Sequence, residues 1–595
     1  MDRKAIIVVT TSIAFIILWT AYITPKYLTR PAPPRPTNAV AAATGPVEPG
    51  TLSPAPDNAA PAVTQTTLPP TVEEQLLIIT NEQVRYTFTS HGGGVKRIDL
   101  LRYPESTAPG RKSDTNRVAS LNTRAPVPVM ALLGDAGHVG DGVFELSRTA
   151  TGVRAEKGLP NGLWVVKDFR PASNYQFLVT TRLENRSANA LALGTQEWVI
   201  GTATPMNAMD HDDTTLGVMW SDGKRIHDTP KTWFDNKSFF SCFTGPRPPR
   251  PELRAGAGHL VWAAAHNQFF ALAVIPPTNG LELVARAVTL PKPSPEELPP
   301  DAPPPIAPKG FQTAIVQPAL TLPAGAVAEQ TFQFFAGPKE YRTLANIAAQ
   351  HGNNLDALMS FGFFGFFSKL LLLGMNALHD LLGVGYGWAI VIITVIIKLL
   401  FWPLTAASTR SMKRMAALQP QMKALQEKYK DDPAKLNRKM MEFWKEHKVS
   451  PLGGCLPMLL QIPVFFGFFM MIRSAIELRG ASFLWVADLS RPDTLFHLAG
   501  FPVNLLPLLM GATMFWQAKL TPPSPGMDPM QQKIMKYLPL MFMVFLYGYS
   551  AALTLYWTTQ NLLTILQTKL TKTTDPAAPA APPTPVRPVK PAKRK

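Results

Sequence analysis

Residues 387–409 read GWAIVIITVIIKLLFWPLTAAST. Between Asp380 and Arg410 the only charged side chain is Lys398. A run this long and apolar reads as a membrane-spanning helix. A lysine inside such a helix costs about 2.5–3.5 kcal/mol on insertion scales. Ionisable groups at that cost usually face a polar cavity or a partner, so Lys398 marks a candidate functional site. A plainer reading stays open at this point. From a start near Tyr386 the lysine lies roughly 18 Å along the helix, at about 1.5 Å per residue, and its stem could snorkel part of the way to the far side.

The chain has 595 residues, a formal net charge of +17, 46% hydrophobic and 17% charged residues. The low charge fraction fits a membrane protein, and the excess of Lys and Arg suits anionic lipid, nucleic acid or ribosome contact. The apolar run at residues 5–23 follows MDRK and has no small-residue cleavage site close behind it. It reads as an uncleaved first span, residues 1–24, with a cytoplasmic start. A Pro/Ala-rich flexible linker follows at 25–71. Residues 72–340 alternate apolar and polar positions, as in NYQFLVTTRLENRS, with Gly and Pro between runs. That pattern predicts an all-β sandwich. It contains a proline-rich loop at 291–308, a turn at His91-Gly-Gly-Gly, and a structural His266.

Residues 341–384 read as a linker and an interfacial amphipathic helix, with a true span as the alternative. Further spans are expected near 386–405, 455–476, 502–517, 536–551 and 553–570. The loop 406–450 and the tail 572–595 are basic, whereas the loop after Ile476 is not. Six transmembrane helices with both termini in the cytoplasm satisfy this bias and export the β domain. Met412, Met415, Leu418, Met422, Leu425 and Tyr429, then Leu436, Met440 and Phe443, recur at helical spacing within 406–450. They predict a helical hairpin, interrupted at Pro420, with Asp432 capping its second arm. Its methionine seam is either the hairpin's own core or an adaptable binding surface.

Thr394 lies one turn before Lys398, and Thr405 extends that side. Trp557, Asn561 and Thr564 share a face, with Gln560 beside it, while Gln461 and Gln517 sit in or at the end of other spans. Each could bond a neighbouring helix. Together with an unpaired lysine they suggest a polar intramembrane cavity. No later span holds a central carboxylate, which a proton- or ion-coupled transporter would be expected to have. There is no Walker loop, HExxH or GxSxG, and Cys242 and Cys455 fall in different compartments and form no metal or disulfide framework. No enzyme activity, cofactor or metal is expected. A membrane-tethered carbohydrate enzyme acting through the β domain is a weaker alternative, as is a small-solute transporter or channel.

Lys448 to Phe469, KVSPLGGCLPMLLQIPVFFGFF, closely resembles the YidC family of bacterial membrane protein insertases. So do FWPLTAASTRSMKRMAALQPQMKALQEKY, DPMQQKIMKYLPLMF, LYWTTQNLLTILQ and FAGPKEYRTL. The resemblance implies a five-helix insertase core, 385–571, around a groove open to the cytoplasm and to lipid, with a sugar-mutarotase-like periplasmic β domain. It implies that nascent membrane proteins are the substrates, with the Sec translocon as a partner, while the basic hairpin and tail are expected to attract the ribosome or the phospholipid bilayer. It places Lys398 at the groove's basic position, where many bacterial members have arginine, and Thr394 on the groove side. Tyr556 and Trp557 match an aromatic pair that is often Tyr-Tyr, one member of which contacts substrate. Gln461, Gln517 and Asn561 complete the expected groove. Met471 and Met541 are expected on the path along which a substrate's apolar segment slides.

Overall fold

The computed structural model describes residues 72–107, 117–205, 215–236, 247–278, 281–294, 307–429, 432–447, 456–498, 501–520 and 529–571. The first span, the linker 25–71, most of the proline-rich loop, both cysteines and the tail lie outside them. The chain divides into two compact units, with the main boundary between Phe363 and Phe364.

The first unit is built from antiparallel sheets. The largest has nine strands, ordered Ile226–Pro230, Gly217–Ser221, Trp262–His266, Phe270–Ile275, Val327–Pro338, Gln176–Asn185, Leu163–Pro171, Val153–Gly158 and Glu145–Arg148. Gln176–Asn185 shows the expected period of two, burying Phe177, Val179, Thr181 and Leu183. Phe270–Ile275 is buried throughout, so it shows no alternation. A four-stranded sheet, Leu76–Thr80 to Val118–Leu121, contributes Tyr86 and Phe88. Their rings meet Phe177 and Phe169 of the large sheet edge to face, at 5.5 and 5.2 Å. A five-stranded sheet includes Gln196–Ala203, which bulges between Val199 and Gly201. At Gly201 a Cβ would fall 2.3 Å from the Leu272 side chain of the large sheet, so a larger residue here would displace that leucine where the two sheets approach. The His91–Gly94 segment is a turn, as its glycines suggest. Beneath it the fully buried Lys167 donates from Nζ to the Gly92 carbonyl (2.7 Å), and its Nζ lies 4.1 Å from the Phe144 ring centroid. Burial pushes this amine well below its ordinary value. Helix α1 (Tyr341–His351) follows the last strand. Asn354, just beyond it, accepts hydrogen bonds on Oδ1 from Ser221 Oγ (2.9 Å) and Trp262 Nε1 (2.8 Å), fastening the segment to the sheet.

The second unit is helical. Helix α2 (Gly365–Leu382) ends on Gly383 at φ +63°. His379 donates from Nδ1 to the Val384 carbonyl (2.7 Å) and stacks on Tyr386 at 4.2 Å. The chain then turns by 117° into α3 (Tyr386–Leu400). The span read at 386–405 is two helices. Phe401 leaves helical geometry, and α4 (Trp402–Ala417) restarts with Pro403 in its first turn, where no intrahelical N–H is needed. Helix α5 (Gln419–Lys428) begins afresh at Pro420, and α6 (Pro433–Glu446) starts where Asp432 Oδ1 accepts from Lys435 N (3.0 Å). Met415, Met422 and Met440 are buried together, with Leu418, Leu425, Leu436, Phe443 and Trp444 around them. The methionine seam is therefore the hairpin's own core.

Helices α7 (Leu456–Ser474), α8 (Leu505–Leu520), α9 (Pro529–Phe545) and α10 (Ala551–Leu570) complete the unit. Two expected boundaries are corrected. Residues 502–504 belong to a strand, Phe501–Asn504, paired with Thr494–Leu498, so the helix starts at Leu505. The stretch read at 536–551 is displaced toward the N-terminus, because the chain leaves the helix at Leu546 and re-enters at Ala551. Among the described residues no single helix is long and apolar enough to cross a membrane, and only the bent pair α2–α3 meets that test jointly. Helix α3 is apolar but covers about 22 Å, while α10 covers about 30 Å but is diluted by Thr, Gln and Asn.

In the β unit, Lys339 Nζ lies 2.9 Å from His266 Nδ1, and both side chains are buried. Desolvation pushes Lys339 down from 10.5 to about 7 and lowers His266, against a weaker upward pull from Asp228. Between pH 10.5 and about 7 the unfolded chain therefore holds a proton that the folded chain has released. Stability falls as pH drops through that window and levels off below it. Lys339→Met is expected to flatten this slope, measured by denaturant unfolding at pH 9.5 and 7. An unchanged slope would assign it to another group.

Candidate functional site

Lys398 points inward from α3. Its side chain is 7% exposed, whereas the neighbouring Leu399 and Leu400 are turned outward. Nζ donates to Thr564 Oγ1 on α10 (2.9 Å). Thr564 in turn donates to the Gln560 carbonyl one turn earlier (2.7 Å), which leaves its oxygen as the acceptor for the ammonium. Among the described residues no carboxylate pairs with Lys398. One turn further, Gln560 Nε2 donates to Gln461 Oε1 on α7 (2.9 Å). Gln461 Nε2 donates to the Tyr556 hydroxyl (2.7 Å). Lys398, Thr564, Gln560, Gln461 and Tyr556 thus form one polar chain linking α3, α10 and α7.

The other expected residues fall around this chain in different ways. Tyr556 is buried and stacks on Phe468 at 4.2 Å, so it serves as framework. Trp557 is half-buried and meets Phe465 at 4.6 Å and Phe542 at 5.4 Å, bridging α7 and α9. Asn561 is buried and donates to Thr513 Oγ1 on α8 (3.2 Å), on a different side from Lys398's partner. Gln517, half-buried, lies one turn from Thr513 on α8. Two expectations fail. Thr394 is 1% exposed and its hydroxyl hydrogen goes to the Ile390 carbonyl of its own helix (2.6 Å), so packing and not bonding keeps it from lining a groove. Met471 is 0% exposed and cannot line a path for a passing segment, whereas Met541 is 59% exposed.

Sequence reasoning missed the lower half of the α10 contact. Gln567 Nε2 donates to Thr405 Oγ1 and to the Trp402 carbonyl (3.3 Å). Lys413 Nζ donates to the carbonyls of Thr568 (3.2 Å) and Thr571 (2.8 Å), capping the C-terminus of α10. The signal was present in part, because positions 560, 564 and 567 recur at helical spacing. Lys413 was indistinguishable from the other loop cations.

With this geometry in view, the comparisons with known proteins define the class. A family described as 60Kd inner membrane protein matches residues 377–577, and one described as YidC periplasmic domain matches residues 77–373. The chain is thus an inner-membrane protein whose β-rich unit is periplasmic. A membrane protein insertase YidC of Geobacter sulfurreducens is 33% identical over 496 residues, covering 81% of this chain and 83% of that one. Its counterpart in Pelobacter propionicus is 31% identical over 585 residues, 95% and 98% of the two chains. A crystal structure of an active YidC insertase with its first transmembrane domain resolved aligns at 17% identity and a TM-score of 0.32, covering 84% of this chain and 93% of that one. The chain belongs to the YidC family of membrane protein insertases.

Gln461 satisfies two partners at once, the buried Tyr556 and the half-buried Gln560. Gln461→Leu is expected to leave Gln560 and Tyr556 unpaired and to cost about 1–3 kcal/mol. Unfolding in detergent, followed by intrinsic fluorescence, measures this. No loss would mean that water and not Gln461 satisfies these groups.

Proposed function

We propose that this protein inserts nascent inner-membrane proteins and helps them fold, receiving the hydrophilic flank of the substrate in a polar groove beside Lys398. The observation that carries this reading is the buried ammonium whose single partner among the described residues is a hydroxyl. A charge so placed attracts an acidic flank, and its attraction is strengthened by the low dielectric around it. The polar faces of α10 and α7 shorten the apolar distance the flank must cross. Burial of the substrate's apolar segment in lipid then supplies the driving force. Exposed apolar side chains on α9, among them Leu540, Met541 and Val544, offer the segment a surface to slide along.

On this reading six helices span the membrane, the first at residues 1–24, with both termini cytoplasmic. The sharp turn between α2 and α3 supports α2 lying in the interface while α3 crosses. The short, polar-diluted helices are what a groove that thins the apolar barrier requires. The basic hairpin α4–α6 and the tail would contact the ribosome or anionic lipid, with the Sec translocon as a further partner.

Lys398→Arg, Ala and Glu variants in a depletion strain test the electrostatic step, read by insertion of a substrate with an acidic exported tail. Arg is expected to retain most insertion, Ala to lower it several-fold, and Glu to lower it furthest. Normal insertion with Glu would sink the electrostatic model.

A further inference from the structure

The segment between α7 and α8 ends in the two-stranded hairpin Thr494–Leu498 and Phe501–Asn504. An isolated hairpin of this size is marginally stable in water. Here it is fastened from one side by polar groups. Tyr547 donates its hydroxyl hydrogen to the Pro502 carbonyl (2.8 Å) and accepts from Asn504 N (3.1 Å). Asn504 Nδ2 donates to the Tyr547 carbonyl (2.8 Å), and Thr494 Oγ1 donates to Asn504 Oδ1 (2.7 Å). Asp493 Oδ2 accepts from Leu506 N at the start of α8 (2.6 Å) and from Trp485 Nε1 (3.2 Å).

Of the side chains left over, all that are turned outward are apolar except His497. Phe496, Leu498 and Phe501 are 54%, 67% and 61% exposed. A second, independent feature points the same way. Phe483 and Val486 exchange backbone hydrogen bonds at 2.9 and 2.8 Å, closing a tight turn over Leu484 and Trp485. Leu484 is held at φ +51°, a left-handed conformation that leucine rarely adopts, and its side chain projects outward. Backbone strain that displays a leucine to water has no evident return. The one polar residue between Phe501 and the exposed Leu508 and Leu509 of α8, Asn504, is buried, and Phe501 packs at 5.3 Å on Tyr547, just beyond the exposed Val544 and Phe545 of α9.

We propose that the two turns form an interfacial anchor whose apolar side chains enter the headgroup–acyl boundary of the periplasmic leaflet. This rests on the reading that α8 and α9 span the membrane. Lipid is the occupant because the patch is continuous with helix surfaces that reading assigns to acyl chains. It also joins a tryptophan, whose N–H is satisfied by Asp493, to large aliphatic and aromatic groups, the composition of interfacial belts. An exposed apolar hairpin left in water would instead be an edge-pairing hazard. Anchored, it fixes the height of the α8 N-terminus relative to the lipid surface, because Asp493 ties the two together.

The test uses full-length protein carrying Cys242→Ser and Cys455→Ser, with single nitroxide labels at Leu498→Cys, Met541→Cys and, as a β-unit control, Arg254→Cys, in nanodiscs of phosphatidylethanolamine and phosphatidylglycerol. Collision with oxygen and with a water-soluble nickel chelate is measured at each. The labels at 498 and 541 are expected to favour oxygen relative to 254, with 541 the deeper, and Phe501→Asp is expected to move 498 toward the aqueous value. If 498 matches 254 while 541 stays in lipid, the hairpin lies in water and the anchor is wrong although the spans stand. If 498 is shielded from both reagents, a protein surface covers it and the lipid assignment fails. If 541 matches 254, the spanning reading fails and the anchor with it.

Discussion

An ammonium group held among apolar helices by one hydroxyl sets the terms for the helical unit. Lys398 cannot sit inside α3 unless another element brings oxygen to it. Thr564 does so, and it can accept because its own hydrogen is committed to the Gln560 carbonyl. That fixes the rotation of α10. With Thr564 facing α3, Gln560 reaches Gln461 on α7, and Gln567 reaches Thr405 and the Trp402 carbonyl on α4. Asn561 is then left facing Thr513 on α8. One orientation of α10 thus satisfies polar groups on four neighbouring helices. Slipping it by a residue would break all of these contacts together.

The break at Phe401 belongs to the same arrangement. A continuous helix from Tyr386 to Ala417 would carry Thr405 and Lys413 along the α3 axis, on the stripe dictated by 3.6 residues per turn. The interruption frees α4 to follow α10. Lys413 can then cap the last carbonyls of that helix, where a cation is also favoured by the helix dipole. The hairpin α4–α6 has a methionine-centred core of its own, so α4 is the part of it that carries the tie to α10.

Lys398 was legible in the sequence because a single charge in a long apolar run has no statistical camouflage. The β unit was legible where strands bury one face, as in Gln176–Asn185, and less so at Phe270–Ile275, which is buried on both. Sidedness was not legible. Periodicity puts Thr394 on the Lys398 face, but a threonine hydroxyl can satisfy itself on its own helix, and here it does. Periodicity likewise cannot say whether Met471 meets lipid or protein, and packing buries it. Residues 502–504 show a further limit, because a short apolar run reads equally as strand or helix until its partner strand is known.

A lysine suits this geometry better than an arginine would. A guanidinium presents five donors in a rigid plane and needs several oxygens at fixed angles. The site offers one hydroxyl, and the nearest glutamines are already engaged with each other and with Tyr556. An ammonium tolerates this, because its three donors rotate about one bond and one of them is enough to seat it. Two N–H groups then remain for water or for an arriving carboxylate. A fully paired basic residue would be well stabilised and poorly receptive. Lys398 is held by the minimum that keeps it in place, which suits the receiving role proposed for it.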